Sequence, residues 1–261
     1  MRSVAALLLA LPLLSDVAFG GALTLHQQQF AAFVGTITSS APRRYDDQGA
    51  SSVPVVFDKL LVQDWMEYGL TNALTIVVAP EYVLADYGAD KTSVSHVESE
   101  SIEAGMRLLL SKRFGMLSLQ TTAKWAGAFD MSVSSRGEPG RQFEVRLLYG
   151  ESFKLLWRDA FVDVEIARRW ISRPRPDEIV WDGTAGWWIT KRNLLMLQSF
   201  NVTTTGGIRS PYEAYDLSKL QLSIVHRSTP HWSVQSGYFF SMAGRNIVKE
   251  SGFTTMIWFR T

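Results

Sequence analysis

Charged or amide side chains separated by a single residue recur along this chain: Glu144 and Arg146, Asp163 and Glu165, Lys219 and Gln221. At that spacing both members project from one face of an extended strand. Such pairs form ion pairs or line a polar path for solutes. Features of a catalytic centre are weak by comparison. The four histidines, His26, His96, His226 and His231, make no metal-ligand spacing of the His-Glu-x-x-His kind. Ser223 and His226 lie three apart and on a strand would point to opposite faces, a poor arrangement for a nucleophile and its base. The stretch "TTGGIRSP" carries no lysine, so it reads as a surface loop rather than a phosphate cradle. No cofactor, metal or catalytic residue is expected.

A second group lies in "RRYDDQG" (43–49). Arg44, Tyr45, Asp46 and Asp47 place an aromatic ring among charges, which suits sugar binding by stacking and hydroxyl hydrogen bonds. A solvated loop with local ion pairs is the competing reading. Two carboxylates are too few ligands for a calcium site.

The elements that must position these residues are short and alternating. About twelve strand candidates, each about ten residues long, cover 27–39, 56–68, 73–86, 97–110, 115–126, 142–150, 157–171, 178–190, 193–203, 214–227, 232–242 and 250–260. In "MLSLQTTAKW" Leu117, Leu119, Ala123 and Trp125 oppose Ser118, Gln120, Thr122 and Lys124. In "KLQLSIV" Leu220, Leu222 and Ile224 oppose Lys219, Gln221 and Ser223. Connections alternate between long (41–55, 87–96, 127–140, 204–213) and short (69–72, 111–115, 191–192, 228–231), with the link near 151–156 also short. A transmembrane barrel has this rhythm, with short periplasmic turns and longer extracellular loops. Aromatic residues at strand ends (Tyr68, Trp125, Tyr149, Trp157, Trp170, Trp181, Trp187, Trp232 and Phe259) fit two interfacial belts.

The fold expected is therefore an all-β, transmembrane antiparallel β-barrel of about twelve strands. Its apolar faces would meet lipid and its charged faces a polar lumen. The inward set is then Lys59, Gln63, Glu67, Glu103, Arg107, Lys124, Glu144, Arg146, Asp163, Glu165, Arg169, Asp182, Lys219 and Gln221. Acidic and basic members balance, which favours ion pairs across the lumen over a single-sign filter. At twelve strands the charges either plug the lumen or line a narrow path.

The chain ends and composition agree with export. Arg2 followed by the apolar run 4–14 is too short to span a bilayer and reads as a signal-peptide core. Ala18-Phe19-Gly20 offers small residues where a signal peptidase reads, so 1–20 is expected to be removed and 21–261 to form one barrel. Cysteine is absent, which excludes disulfides. A formal net charge of +1 leaves no basic excess for a nucleic-acid surface.

Several stretches resemble the XagA-like bacterial outer-membrane proteins: "GALTL" after the expected cleavage point, "RRYDDQG", "EYGLTNALTIVV" (67–78), "LLMLQSFNV" (194–202), "KLQLSIV" (219–225) and "AGRN" (243–246). The chain departs from that pattern at His26-Gln27 and at its end, "WFRT", where Trp258 and Phe259 stand in for a terminal aromatic. The resemblance implies an outer-membrane, non-catalytic role in exopolysaccharide export or surface anchoring. The partners it implies are outer-membrane lipid, the exopolysaccharide and its synthesis and export machinery. It hands over no catalytic residues. A narrow general solute pore and a lipid- or polysaccharide-modifying enzyme of the barrel rim are the alternatives.

Overall fold

A computed structural model describes residues 21–125, 141–206 and 213–261. The expected signal peptide, the long loop at 127–140 and most of that at 204–213 lie outside the described residues. Twelve strands follow in order: β1 (Phe30–Arg44), β2 (Val53–Gly69), β3 (Leu74–Gly88), β4 (Ser95–Ser111), β5 (Met116–Trp125), β6 (Gln142–Leu155), β7 (Arg158–Ile171), β8 (Asp177–Trp188), β9 (Asn193–Gly206), β10 (Asp216–Arg227), β11 (Trp232–Arg245) and β12 (Ser251–Arg260). Each pairs antiparallel with its chain neighbours, and β1 pairs with β12, closing the barrel. Closure pairs every strand on both sides within the wall, so the wall itself has no edge.

An even strand number puts both chain ends at the same rim as the short connections. Here that rim is called the turn end and the opposite one the loop end. Three turn-end hairpins share one device. The hydroxyls of Thr71, Thr190 and Thr229 each accept the backbone N–H groups two and three residues on. This satisfies donors that a tight turn would otherwise strand.

Alternation sorts the walls as expected. Leu222, Ile224, Val164 and Ile166 are exposed on the outside, whereas Ser223, Gln235, Gln120 and Thr122 are buried inside. Aromatics ring the outer wall. Phe143 stacks on Trp170 with centroids 5.8 Å apart near the loop end, and Trp232 lies 4.7 Å from Phe259 at the turn end. Trp258 instead points inward, 4 % exposed, against Phe33. Phe259 is therefore the outward aromatic at the turn end of the last strand, as Phe253 is nearer the loop end.

Two places depart from the expected pattern. The link near 151–156 is a continuation of the sheet: β6 and β7 run on past the last pairings of β5 at Gly150 and of β8 at Ala160. The hairpin Glu151–Asp159 thus projects about 17 Å from the turn-end rim. Its tip is Leu156-Trp157, both with positive φ, and Trp157 is 97 % exposed, so this ring is a hairpin tip and not part of a belt. The second departure is Asp64, whose position in the alternation of β2 puts it on the outer wall between Val62 and Met66. It sits in a gap of the β2–β3 pairing, between Gln63↔Glu81 and Met66↔Val78, with the register unchanged, and its Oδ1 has no hydrogen-bond partner.

Candidate functional site: a charged lumen between two closures

The turn end of the lumen is closed by the residues that precede β1. Ala22, Thr24 and Leu25 are buried inside the barrel. The Ala22 N–H donates to Asp163 Oδ2 at 2.8 Å, and the Ser118 hydroxyl donates to the Ala22 carbonyl at 2.6 Å. Arg107 Nη1 donates to the Leu23 carbonyl at 2.7 Å, and the Leu25 N–H donates to the Thr75 hydroxyl at 3.0 Å. Leu25 packs into an apolar cluster with Phe33, Phe161, Trp188, Leu194, Met196, Val225 and Trp258. Gly69 makes this entry possible, because a Cβ there would lie 1.9 Å from the His26 carbonyl oxygen. The lumen is therefore not polar throughout. Its turn end is a small hydrophobic core with the chain's own N-terminal segment as the plug.

Above this plug lies a lattice of ion pairs. Glu67 meets Arg107 at 2.8 Å, and the same guanidinium donates through Nε to Gln120 at 3.0 Å. Arg146 faces Glu144, Glu165 and Asp182 at 2.7, 2.5 and 2.9 Å. Arg169 links Glu144 at 2.8 Å to Glu178 at 2.6 Å. Lys124 pairs with Glu81 at 3.0 Å. Nearer the loop end, Glu250 is held by Lys219 and by Lys59 (2.9 Å) and accepts the Ser39 hydroxyl at 2.7 Å. Gln221 donates to Gln198 and to Ser223.

Every member of the expected inward set thus lies on the lumen side. Ten of them line one cavity of about 400 Å³: Gln63, Glu103, Arg107, Lys124, Glu144, Arg146, Asp163, Glu165, Arg169 and Asp182. Lys59 and Lys219 line a second cavity of about 360 Å³ toward the loop end. The two cavities share Glu81, Glu103, Lys124 and Arg169. Further charged side chains lie beside the expected set. Glu81, Glu178, Glu250 and Arg175 also face the lumen. The acids among the described residues are then Glu67, Glu81, Glu103, Glu144, Asp163, Glu165, Glu178, Asp182 and Glu250, nine of them. The bases among the described residues are Lys59, Arg107, Lys124, Arg146, Arg169, Arg175 and Lys219, with Arg227 over the inward Trp188 ring at the turn end, so the two signs are in rough balance.

At the loop end the connection between β11 and β12 folds inward. Ile247 and Val248 are buried, and Ile247 packs with Tyr45 and Tyr215. The Tyr45 N–H donates to the Ile247 carbonyl and its hydroxyl to the Ser241 carbonyl. The Tyr45 ring, 4 % exposed, is therefore a packing element with no free face for a sugar, contrary to the sequence expectation. Burial also raises its hydroxyl pKa. Asp46 is spent on its own turn. It accepts from the Ser52 hydroxyl and the Ala50 and Gln48 N–H groups, which hold its pKa below the ordinary carboxylate value. Arg44 lies 3.9 Å from Glu213, and Asp47 is exposed. Glu250, in the β11–β12 connection, is buried, which pushes its pKa up. The ammonium groups of Lys219 and Lys59 outweigh that and hold it well below the ordinary range.

Ser223 is buried in the lumen wall, while His226 is exposed outside against Asn193, so the two do not meet. Among the described residues no group of three His, Asp or Glu side chains is placed to hold a metal ion.

No family model matches this sequence, and no curated protein matches it. Solved structures do share its fold. An outer-membrane channel from Pseudomonas putida F1 superposes with a TM-score of 0.68 at 12 % identity, over 94 % of this chain and 100 % of that one. The translocator domain of the autotransporter NalP from Neisseria meningitidis gives 0.59 at 10 % identity, over 94 % and 90 %. The NanC porin gives 0.52 at 12 % identity, over 88 % and 100 %. This chain therefore has the closed twelve-stranded fold of outer-membrane barrels.

Proposed function

We propose that this protein is a channel-type barrel of the bacterial outer membrane, closed at rest by its own N-terminal segment, that serves passage or surface anchoring of exopolysaccharide. The outer wall supports the membrane placement: an apolar belt flanked by aromatics surrounds a charged interior, the reverse of a water-soluble barrel. The run 4–14 and Ala18-Phe19-Gly20 support export by a cleaved signal peptide covering 1–20. The observation that carries the channel reading is the pair of adjoining cavities lined by Glu81, Glu103, Lys124 and Arg169, with separable closures at the two ends. The plug at the turn end is chain that belongs to no strand, so it can leave without breaking the sheet. The polysaccharide assignment rests on the resemblance to the XagA-like proteins, and a narrow pore for small solutes is the second reading.

The test is conductance of the protein in planar bilayers, after confirming that it fractionates with outer membranes and shifts on an unheated gel. Resolved steps that neutral oligosaccharides block support the polysaccharide reading. Steps that only small ions and solutes traverse, with no block by sugars, favour the second. A correctly folded barrel that stays silent, even with Leu25 truncated, refutes both.

A further inference from the structure

Asp163 lies deep in the lumen, 8 % exposed; among the described residues no lysine or arginine comes within ion-pair distance of it, and Arg107, which acts on it from farther off, is bound to Glu67 and the Leu23 carbonyl. Glu165, two residues along on the same face of β7, already shares Arg146 with Glu144 and Asp182. A buried carboxylate without a cation is costly, so this position lacks a partner that its surroundings call for.

What lies against Asp163 is Gly21. A Cβ built on Gly21 would sit 2.1, 2.2 and 2.3 Å from Oδ2, Cγ and Oδ1 of Asp163. Any atom bonded to a Cα lies about 2.5 Å from its Cβ position, so the Gly21 nitrogen is within about 4.6 Å of Oδ2. The following N–H, that of Ala22, donates to the same oxygen. Any side chain at position 21 would collide with the carboxylate. Gly150 gives room from the opposite side, since a Cβ there would come within 2.9 Å of Asp163 Oδ2 and 3.2 Å of the Ala22 methyl.

We propose that removal of residues 1–20 supplies the missing cation: the α-ammonium of Gly21 docks on Asp163 beside Glu165 and fastens the N-terminal plug inside the lumen. This rests on the export reading above. Hydrolysis of the Gly20–Gly21 peptide bond consumes one water and leaves a carboxylate on the released peptide and an ammonium on Gly21. The site is selective for the position of the cut. One residue more places the ammonium about 3.5 Å farther out and puts a peptide bond against the carboxylate. One residue fewer removes the glycine that fits.

The test uses mature protein purified from outer membranes. Intact mass identifies the first residue. Labelling of the folded barrel with an amine-reactive reagent, compared with the heat-unfolded chain, then reads access to the α-amine. The expected result is a chain starting at Gly21 whose α-amine is labelled at least tenfold more slowly when folded. Asp163→Asn should remove that protection, and so should a precursor with one alanine inserted after Gly20, which leaves Asp163 and the rest of the barrel unchanged. A start other than Gly21 overturns the proposal, and so does full-speed labelling of the folded parent, or protection that persists in both variants. Labelling needs no conductance, so a silent bilayer would refute the channel reading and leave this result standing.

Discussion

Truncating Leu25 should loosen the plug without damaging the wall. Leu25 is 3 % exposed and sits among Phe33, Phe161, Trp188 and Trp258, yet it belongs to no strand. Withdrawal of the N-terminal segment would expose its side chain, whose burial is worth about 1.5–3 kcal/mol. Leu25→Ala also leaves a cavity in the seated state, and such truncations cost about 2–5 kcal/mol in closely packed cores. A loss of about 3 kcal/mol changes the seated-to-released ratio by a factor of about 100, since about 1.4 kcal/mol corresponds to tenfold. Two measurements read that ratio. Hydrogen exchange at the Ala22 and Leu25 amides, which donate to Asp163 and Thr75, should accelerate about 100-fold. Single-channel recording should show a matching rise in open probability. Leu222→Ala is the control, because Leu222 is 55 % exposed on the outer wall and touches no part of the plug. If Leu25→Ala leaves both exchange and gating at the parent values, the N-terminal segment is not a removable closure.

Three further outcomes follow from the same geometry. Arg146→Met should lower stability by about 3–5 kcal/mol, because it strands Glu144, Glu165 and Asp182 in the wall; the urea midpoint in detergent reads this, and an unchanged midpoint would mean that water already screens the lattice. Asp64→Leu should raise the same midpoint by about 1–2 kcal/mol, since a carboxylate facing the membrane carries a solvation cost that leucine does not. Glu250 has a depressed pKa in the folded state, so the stability it contributes is full above the ordinary carboxylate value and is lost as pH falls through its folded value. Proteolytic protection of the β11–β12 connection should therefore hold at pH 7 and fade only in strong acid, whereas Glu250→Gln should weaken it at every pH; a connection equally protected in the variant would sink this assignment.

The inside and the outside of the wall were legible in the sequence because a strand has period two and each polar position is read against its neighbours. Glu144 and Arg146 are inward because Val145 and Leu147 are outward. The plug was not legible, for a reason that hydropathy cannot remove. Phe33, Phe161, Trp188, Leu194 and Trp258 are apolar residues at inward positions, and in a membrane barrel an apolar residue is normally assigned to lipid. In "GWW" the two tryptophans look alike, yet Trp187 ends outward and Trp188 is buried inside. What separates them is the parity of β8 counted from Asp182, and not their chemistry. Gly69 was the available sign that another stretch of the same chain, at His26, passes close by. Tyr45 failed as a sugar-binding expectation because its partners, Tyr215 and Ile247, are 170 and 202 residues away along the chain, and local composition cannot announce a contact of that range. The repeated threonine turns at Thr71, Thr190 and Thr229 were in plain view, and they mark the turn end independently of loop length.

The lattice also limits what can pass. An anion entering between Arg146 and Arg169 would have to displace carboxylates already bound to both. A cation would find most carboxylates occupied, and breaking one pair strands its guanidinium or ammonium in a narrow space. A neutral, hydroxyl-rich chain asks for less. Its hydroxyls donate to the free lone pairs of Glu103, Glu81 and Glu165 and accept from Lys124 and Gln198 while the ion pairs stay intact. The exchange is then one of water for hydroxyl, with little change in electrostatic energy. Sugar block should accordingly depend weakly on salt, while passage of charged solutes depends on it strongly. A conductance series from about 0.1 to 1 M salt, with and without a neutral oligosaccharide, separates the two. A block that collapses as salt rises would mean that the lumen holds its ligand by charge and that the solute is not a neutral sugar.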